Sequence, residues 1–283
     1  MKLLRSLACT ATLLTGHAAT AAGFHDHLGL QLWSLRDQAK SSATGALDLA
    51  AGFGFTEVET AGTWGLPTGQ FAAELAARKL SAVSAHTGYE ALKADLATAI
   101  RDAKTLGVKY LICPILPHGQ DGLTVADAHR VAAEFNAWGE ACRAAGLRFG
   151  YHPHGIEFVA GPAGETPFDI LMRETQPELV CFELDVFWAF HAGQDPVKLL
   201  RQHPGRWRLL HVKDIRRGAA TGFATGSAPV TDKVAVGTGQ IDWPAVLGAA
   251  AQAGVEYYFI EDEGPQPLTD IPASLRYLKT LKP

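Results

Sequence analysis

Histidine and carboxylate side chains recur two residues apart along the second half of this 283-residue sequence. Tyr151-His152-Pro153-His154 is followed by Glu157, and Glu183 pairs with Asp185, His211 with Lys213, and Glu261 with Glu263. Each pair closes a short apolar run, and side chains two apart on a strand share a face. Earlier in the chain, Glu57 and Glu59 end one such run and His86 another. Charged groups are rarely buried unless paired or bound to metal. Converging imidazoles and carboxylates therefore point to a cation site or to acid–base chemistry. A mixed set of this kind suits Mn(II), Co(II), Fe(II) or Zn(II), and suits Mg(II) less well as histidines increase. Single members carry little weight: a lone histidine near a strand end is more often packed or solvated, and Asp37, Asp214 and Asp262 read equally well as helix caps. The weight comes from their concentration at four consecutive strand ends.

Such pairs act together only in a frame that gathers distant strand ends. Short apolar runs at 29–34, 57–60, 82–85, 110–113, 148–152, 181–185, 208–212 and 257–261 alternate with helical patterns such as 70–79, 91–106 and 125–145. Thr166-Pro167 and Asp195-Pro196 each place a capping residue before a proline suited to the first helical position. Gly107, Gly146 and Gly254 follow helical runs, where a left-handed glycine is expected. Eight strand–helix units in about 260 residues predict an α/β fold, a single-domain (β/α)8 TIM barrel spanning 23–283, with its site at the C-terminal mouth. No G-x-G-x-x-G follows the first run, which counts against a dinucleotide fold. The Gly/Ala/Thr-rich stretch 216–233 reads as a long mobile loop after the seventh strand.

Residues 1–22 have the pattern of a secretory signal peptide: Lys2 and Arg5, an apolar run from Leu7 to Leu14, then Ala18-Ala19-Thr20-Ala21-Ala22. The run is too short for a membrane anchor, so an exported, periplasmic or secreted protein starting near Gly23 is expected. Phe24-His25-Asp26-His27 also looks ligand-like, but at the mature N-terminus it reads more simply as a floppy extension ahead of the first strand. The formal charge of -4 and the lack of a basic stripe argue against nucleic acid. Cys113, Cys142 and Cys181 are expected as buried free thiols.

In order along the chain, Gly150-Tyr151-His152-Pro153-His154, Phe182-Glu183-Leu184-Asp185 with Trp188, Leu210-His211-Val212-Lys213-Asp214, Val236-Gly237-Thr238-Gly239 and Phe259-Ile260-Glu261-Asp262-Glu263 carry a resemblance. The sequence resembles the xylose-isomerase-like sugar phosphate isomerase/epimerase barrels, in particular the branch with a Tyr-His-Asn-His segment on the fifth strand, related to inosose dehydratase. The resemblance covers essentially all of 23–283. It implies a divalent ion held by His152, Asp185, His211 and Glu261. The family commonly has glutamate at the fifth-strand position, so His152 is a departure, and His154 is the alternative ligand there. The resemblance also implies removal of an α-proton from a sugar by Glu261 or His152, with Lys213 stabilising developing negative charge. Glu59, His86 and His154 would bind hydroxyls. Trp188, with Trp33 and Trp64, would offer faces to the sugar, against packing as the competing reading. The implied activity is a metal-dependent sugar isomerase or epimerase. Its alternatives are a lyase or dehydratase on a keto-sugar or 3-keto-glycoside, and a non-catalytic sugar-binding barrel. An abasic-site endonuclease is disfavoured by the acidic balance. The expected partner is a small-molecule carbohydrate, and pairing of barrels into a homodimer is expected.

Overall fold

Tyr110–Cys113 is buried along its whole length, as is Val180–Asp185. Strands buried on both faces belong to a parallel sheet with helices outside and a filled interior. A computed structural model describes residues 23–119 and 122–282, so the predicted leader at 1–22 lies outside the described residues. Ten strands occur among them: β1 (Leu28–Gln31), β2 (Glu57–Ala61), β3 (Ser81–His86), β4 (Tyr110–Cys113), β5 (Arg148–Tyr151), β6 (Val180–Asp185), β7 (Trp207–Val212), β8 (Asp214–Ile215), β9 (Lys233–Val234) and β10 (Tyr257–Ile260). Eight of them close a barrel in the order β1-β10-β7-β6-β5-β4-β3-β2, with β10 as the eighth barrel strand. Every pairing in the barrel is parallel. The (β/α)8 expectation holds.

The interior is filled in two tiers. Val83, Ile112, Cys181, Leu209 and Phe259, all from strands, form an apolar cluster separate from the larger core between strands and helices. Two residues further along the same faces come Glu183 after Cys181 and His211 after Leu209. The polar tier thus sits above an apolar plug, towards the C-terminal mouth. Shifts of register opposite Val58–Glu59 and at Phe182–Glu183 mark bulges, which re-aim side chains near barrel rims.

The predicted helix starts and stops recur. Thr166 forms a capping box with Asp169 ahead of Pro167, and Asp195 accepts from the backbone of Val197 and Lys198. Gly107 and Gly254 adopt left-handed conformations at helix ends. Three expectations need correction. The run 91–106 is two helices, Tyr89–Ala94 and Leu96–Leu106, because Asp95 leaves helical geometry and caps the second by accepting from Thr98 N. Residues 24–27 are not a loose extension: Phe24 is buried edge-on against Tyr258, and His27 Nδ1 lies 3.1 Å from Glu57 at the far end of the barrel. The 216–233 stretch is pinned at both ends, by antiparallel β8 and β9 and by Arg216 against Asp232 at 2.7 Å.

Asp214 is the knot of that region. Its carboxylate accepts from the backbone N–H of Ile215, Gly237, Gly239 and Ile241 and from the Trp243 indole. A Cβ at Gly239 would collide with Asp214 Oδ1 and the Ile215 carbonyl, so the Val236-Gly237-Thr238-Gly239 motif is a backbone cradle for this acid.

Candidate functional site

Asp185 ends β6 and begins the helix Val186–His191, and the two roles divide its carboxylate. Oδ1 caps the helix by accepting from Trp188 N at 2.9 Å. Oδ2 is buried and has no hydrogen-bond partner. Nitrogens ring it just beyond hydrogen-bond reach: His152 Nε2 at 3.7 Å, His211 Nδ1 at 3.8 Å and Lys213 Nζ at 3.9 Å. Glu261 Oε2 stands 3.3 Å from the same His211 nitrogen. A buried acceptor left unmade is costly. Donors sharing a first-row cation at about 2.1 Å stand roughly 3.0–3.4 Å apart. The spacing here is close to that, so His152, Asp185, His211 and Glu261 fit a divalent ion.

The far nitrogens of both imidazoles support that fit. His152 Nδ1 donates to Glu183 Oε2 at 2.9 Å, and His211 Nε2 donates to Glu59 Oε1 at 2.6 Å. With an ion bound, each N–H bond would fix the tautomer and aim the other nitrogen at the Asp185 side, the arrangement that orients metal-binding histidines. Without one, burial opposes the His211 charge, but Glu183, Asp185, Glu261 and Glu59 override it and raise His211 well above its usual range. A second group of converging donors, His86, His152, Glu183 and His211, lies beside the first. Its members are already bonded to one another, with His86 Nε2 2.9 Å from Glu183 and 3.0 Å from Glu59. That group reads as the support under the first. Asp185, His211 and Glu261 converge as the first group, His152 joins the second and reaches the first only through Asp185 at 3.7 Å, and His154 belongs to neither.

Charge in this region is strongly coupled. Burial opposes ionisation of Glu261, but Lys213 and His211 outweigh it and hold the carboxyl well below its usual range. Burial likewise opposes the Lys213 charge, and Glu261, Glu263 and Asp185 override it. Lys213 Nζ lies 2.9 Å from Glu261 and is also paired with Glu263. Burial, with neighbouring imidazoles, keeps His152 neutral, and burial lowers His154 to about 4. Burial and the nearby Glu59 push Glu183 up to about 7.

These groups floor a cavity of about 620 Å³ at the barrel mouth, reached by His86, His152, His154, Trp188, His211 and Glu261. Several residues stand elsewhere than expected. Glu59, expected to bind a hydroxyl, is fully buried, and Gln31, His86 and His211 take its Oε1. Glu57 begins β2 instead of ending it, because the strand runs on to Ala61. Trp64 packs edge-on against Phe71, away from the cavity. Glu157 is buried, accepting from Tyr151 Oη and His154 N, so it shapes the 152–154 turn from behind. Gln31 and Lys233 were not anticipated. Gln31 ends β1 inside the barrel, and strand alternation could have found it; Lys233 depends on the β8–β9 pairing. No helix among the described residues is long and apolar enough to cross a membrane.

Comparison with known proteins agrees with the closed parallel barrel. Residues 47–281 match the family described as xylose isomerase-like TIM barrel. Among curated proteins, an inosose dehydratase of Geobacillus thermodenitrificans (strain NG80-2) is 28% identical over 138 residues, covering 47% of this chain and 45% of the relative. The chain matches between 23% and 59% of the length of its curated relatives. A solved sugar phosphate isomerase/epimerase from Parabacteroides distasonis ATCC 8503 is 26% identical with a TM-score of 0.72, covering 93% of this chain and 95% of that one. The IOLI protein, solved with a binding zinc atom, shares the fold at 17% identity and a TM-score of 0.66, over 90% of this chain and 95% of that one. With its closed barrel and a family match over most of its length, the chain belongs to the xylose isomerase-like TIM barrel family.

Proposed function

We propose that this protein is a divalent-metal-dependent isomerase or epimerase that removes the proton α to the carbonyl of a sugar or keto-sugar. The observation that carries this reading is the buried, unpartnered Asp185 Oδ2 ringed by His152 Nε2 and His211 Nδ1. His152, Asp185, His211 and Glu261 would hold the ion, and Mn, Co, Fe or Zn suits that set. When bound, such an ion supplies Lewis-acid polarisation of a neighbouring carbonyl and hydroxyl.

The other roles follow from which atoms are free. Both His152 nitrogens are committed, one to Glu183 and one to the Asp185 side, so the base role falls to Glu261. Glu261 Oε2 accepts from Lys213, which leaves Oε1 to take the α-proton. Lys213 keeps Glu261 ionised and in place, and its charge offsets the negative charge that develops on the substrate. His154 lines the cavity as a hydroxyl partner, His86 lines it while held by Glu59 and Glu183, and Trp188 offers it an indole face.

A second reading, elimination of water or an alkoxide from the β carbon, begins with the same proton transfer. Two observations favour it: the inosose dehydratase relatives, and an imidazole, His152, at the fifth-strand position where a two-faced epimerase needs a second carboxylate. The test is incubation of metal-loaded protein with a panel of ketoses and 3-keto-glucosides in D2O, followed by NMR. Deuterium at one α carbon with an isomeric product supports the first reading. Deuterium with an unsaturated product supports the second. Metal-loaded protein that exchanges no α-proton refutes both.

A further inference from the structure

The cavity is larger than one sugar ring needs. It holds about 620 Å³, whereas a hexose fills roughly 200 Å³ on a scale of about 30 Å³ per water. The lining also changes character around the mouth. The imidazoles other than His86 and the carboxylates come from β5, β7 and β10, and that side also carries Trp188 after β6 and the neutral Gly226, Ser227 and Ala228 after β7. Following β1 to β4 stand Trp33, Ala61, Gly62, Gly88, Pro114 and Ile115, with His86 as the only ionisable group, at the border.

Trp33 is 43% exposed, yet it is held. Its Nε1 donates to Glu263 Oε1 at 3.1 Å, and the Arg36 guanidinium lies 5.3 Å from the ring centre. Arg36 Nη1 also donates to the Trp33 carbonyl at 3.0 Å. Glu263 is in turn fixed by Lys213 and by Lys233, the latter at 2.9 Å. An indole that is half open to solvent but tethered along its edge and backbone is a pre-ordered stacking surface. Charge narrows what could stack there. Among the described lining residues Lys233 is the only lysine or arginine, and Glu263 already neutralises it; Arg36 lies outside the lining, against the Trp33 ring, with Nη1 bound to the Trp33 carbonyl. A phosphate is recognised by free arginine forks or lysine charges.

We infer that the β1–β4 side of the mouth is a second subsite, in which Trp33 stacks an uncharged planar or apolar substituent carried by the sugar. The substrate class is then a neutral glycoside and not a sugar phosphate. This inference rests on the sugar reading proposed above.

The test is calorimetric binding to metal-loaded protein of glucose, galactose and xylose, their phenyl β-glycosides, and glucose 6-phosphate. The phenyl group is expected to tighten binding about tenfold for at least one sugar, and the phosphate is expected to add nothing. Trp33→Ala is expected to remove the phenyl gain, lowering phenyl-glycoside affinity more than parent-sugar affinity while metal content stays as in the wild type, and Trp33→Phe to restore part of it. Ala61→Asp, which leaves the Trp33 tethers alone, is expected to weaken the phenyl glycoside selectively. Parent sugars that bind with no phenyl gain, or a Trp33→Ala loss shared equally by both, would overturn the subsite and leave the sugar reading standing. Tightest binding of glucose 6-phosphate would overturn the charge argument and the neutral-glycoside assignment. Binding of none of these compounds by metal-loaded protein would overturn the sugar reading, and the subsite with it.

Discussion

Glu183 does not reach the cavity, so its replacement by glutamine isolates the support beneath the candidate metal centre. Its Oε2 accepts from His152 Nδ1 and His86 Nε2, both at 2.9 Å, and stands 3.4 Å from His211 Nε2. Glutamine keeps the shape but offers one neutral acceptor oxygen, and if the amide turns over its nitrogen faces the imidazole N–H groups. The carboxylate fixes the His152 tautomer and raises the basicity of the nitrogen aimed at Asp185. Loss of such a partner weakens metal affinity about 10- to 100-fold, or about 1.4–2.8 kcal/mol. The smaller loss applies if the amide oxygen takes the Oε2 position, the larger if the amide turns over. Burial already pushes Glu183 up to about 7, so neutralising it should disturb the fold little. The assay is competition against a chromophoric chelator at fixed pH, with a thermal melt to establish that the variant is folded. Wild-type affinity in a folded Glu183→Gln protein would refute the claim that Glu183 orients His152.

Three further outcomes are expected. Lys213→Met leaves Glu261 without its buried lysine and Glu263 with Lys233 alone, and should cost about 3–5 kcal/mol in denaturant unfolding; a change within error would show that Lys213 is not the partner on which Glu261 depends. Cys113, Cys142 and Cys181 are free and buried, and burial lifts the Cys142 and Cys181 thiols to about 12. A thiol reagent at pH 8 should label none of the three in the folded protein and all three in denaturant, and rapid labelling of the folded protein would contradict the packing. We also propose that residues 1–22 are removed on export; intact mass of protein recovered outside the cytoplasm should correspond to a start near Gly23, and an uncleaved mass would count against it.

The barrel was legible because its strands are short and apolar with turn residues between them, and because Thr166, Asp195, Gly107 and Gly254 mark helix ends by mechanisms that survive in the structure. His152, Asp185, His211 and Glu261 could be singled out because each ends a strand, and parallel closure brings strand ends together. What lay hidden needed distance information. Glu183 and Glu59 were visible as acids, but their role as imidazole supports depends on contacts 31 and 152 residues apart in sequence. Sequence spacing also could not separate His152 from His154: Glu157 and Gly155 turn the chain after β5, so only His152 faces Asp185. The 216–233 stretch looked unconstrained because its anchor, Asp214, draws its donors from Gly237, Gly239 and Ile241, beyond the loop itself.

The central claim is a divalent ion at the barrel mouth held through Asp185 and His211. Elemental analysis of the purified protein, beside a variant carrying Asp185→Ala and His211→Ala together, tests it most directly. About one equivalent of Mn, Co, Fe or Zn in the wild type and none in the double variant is the predicted result. No metal in either protein after reconstitution, or an equivalent retained by the double variant, would contradict it.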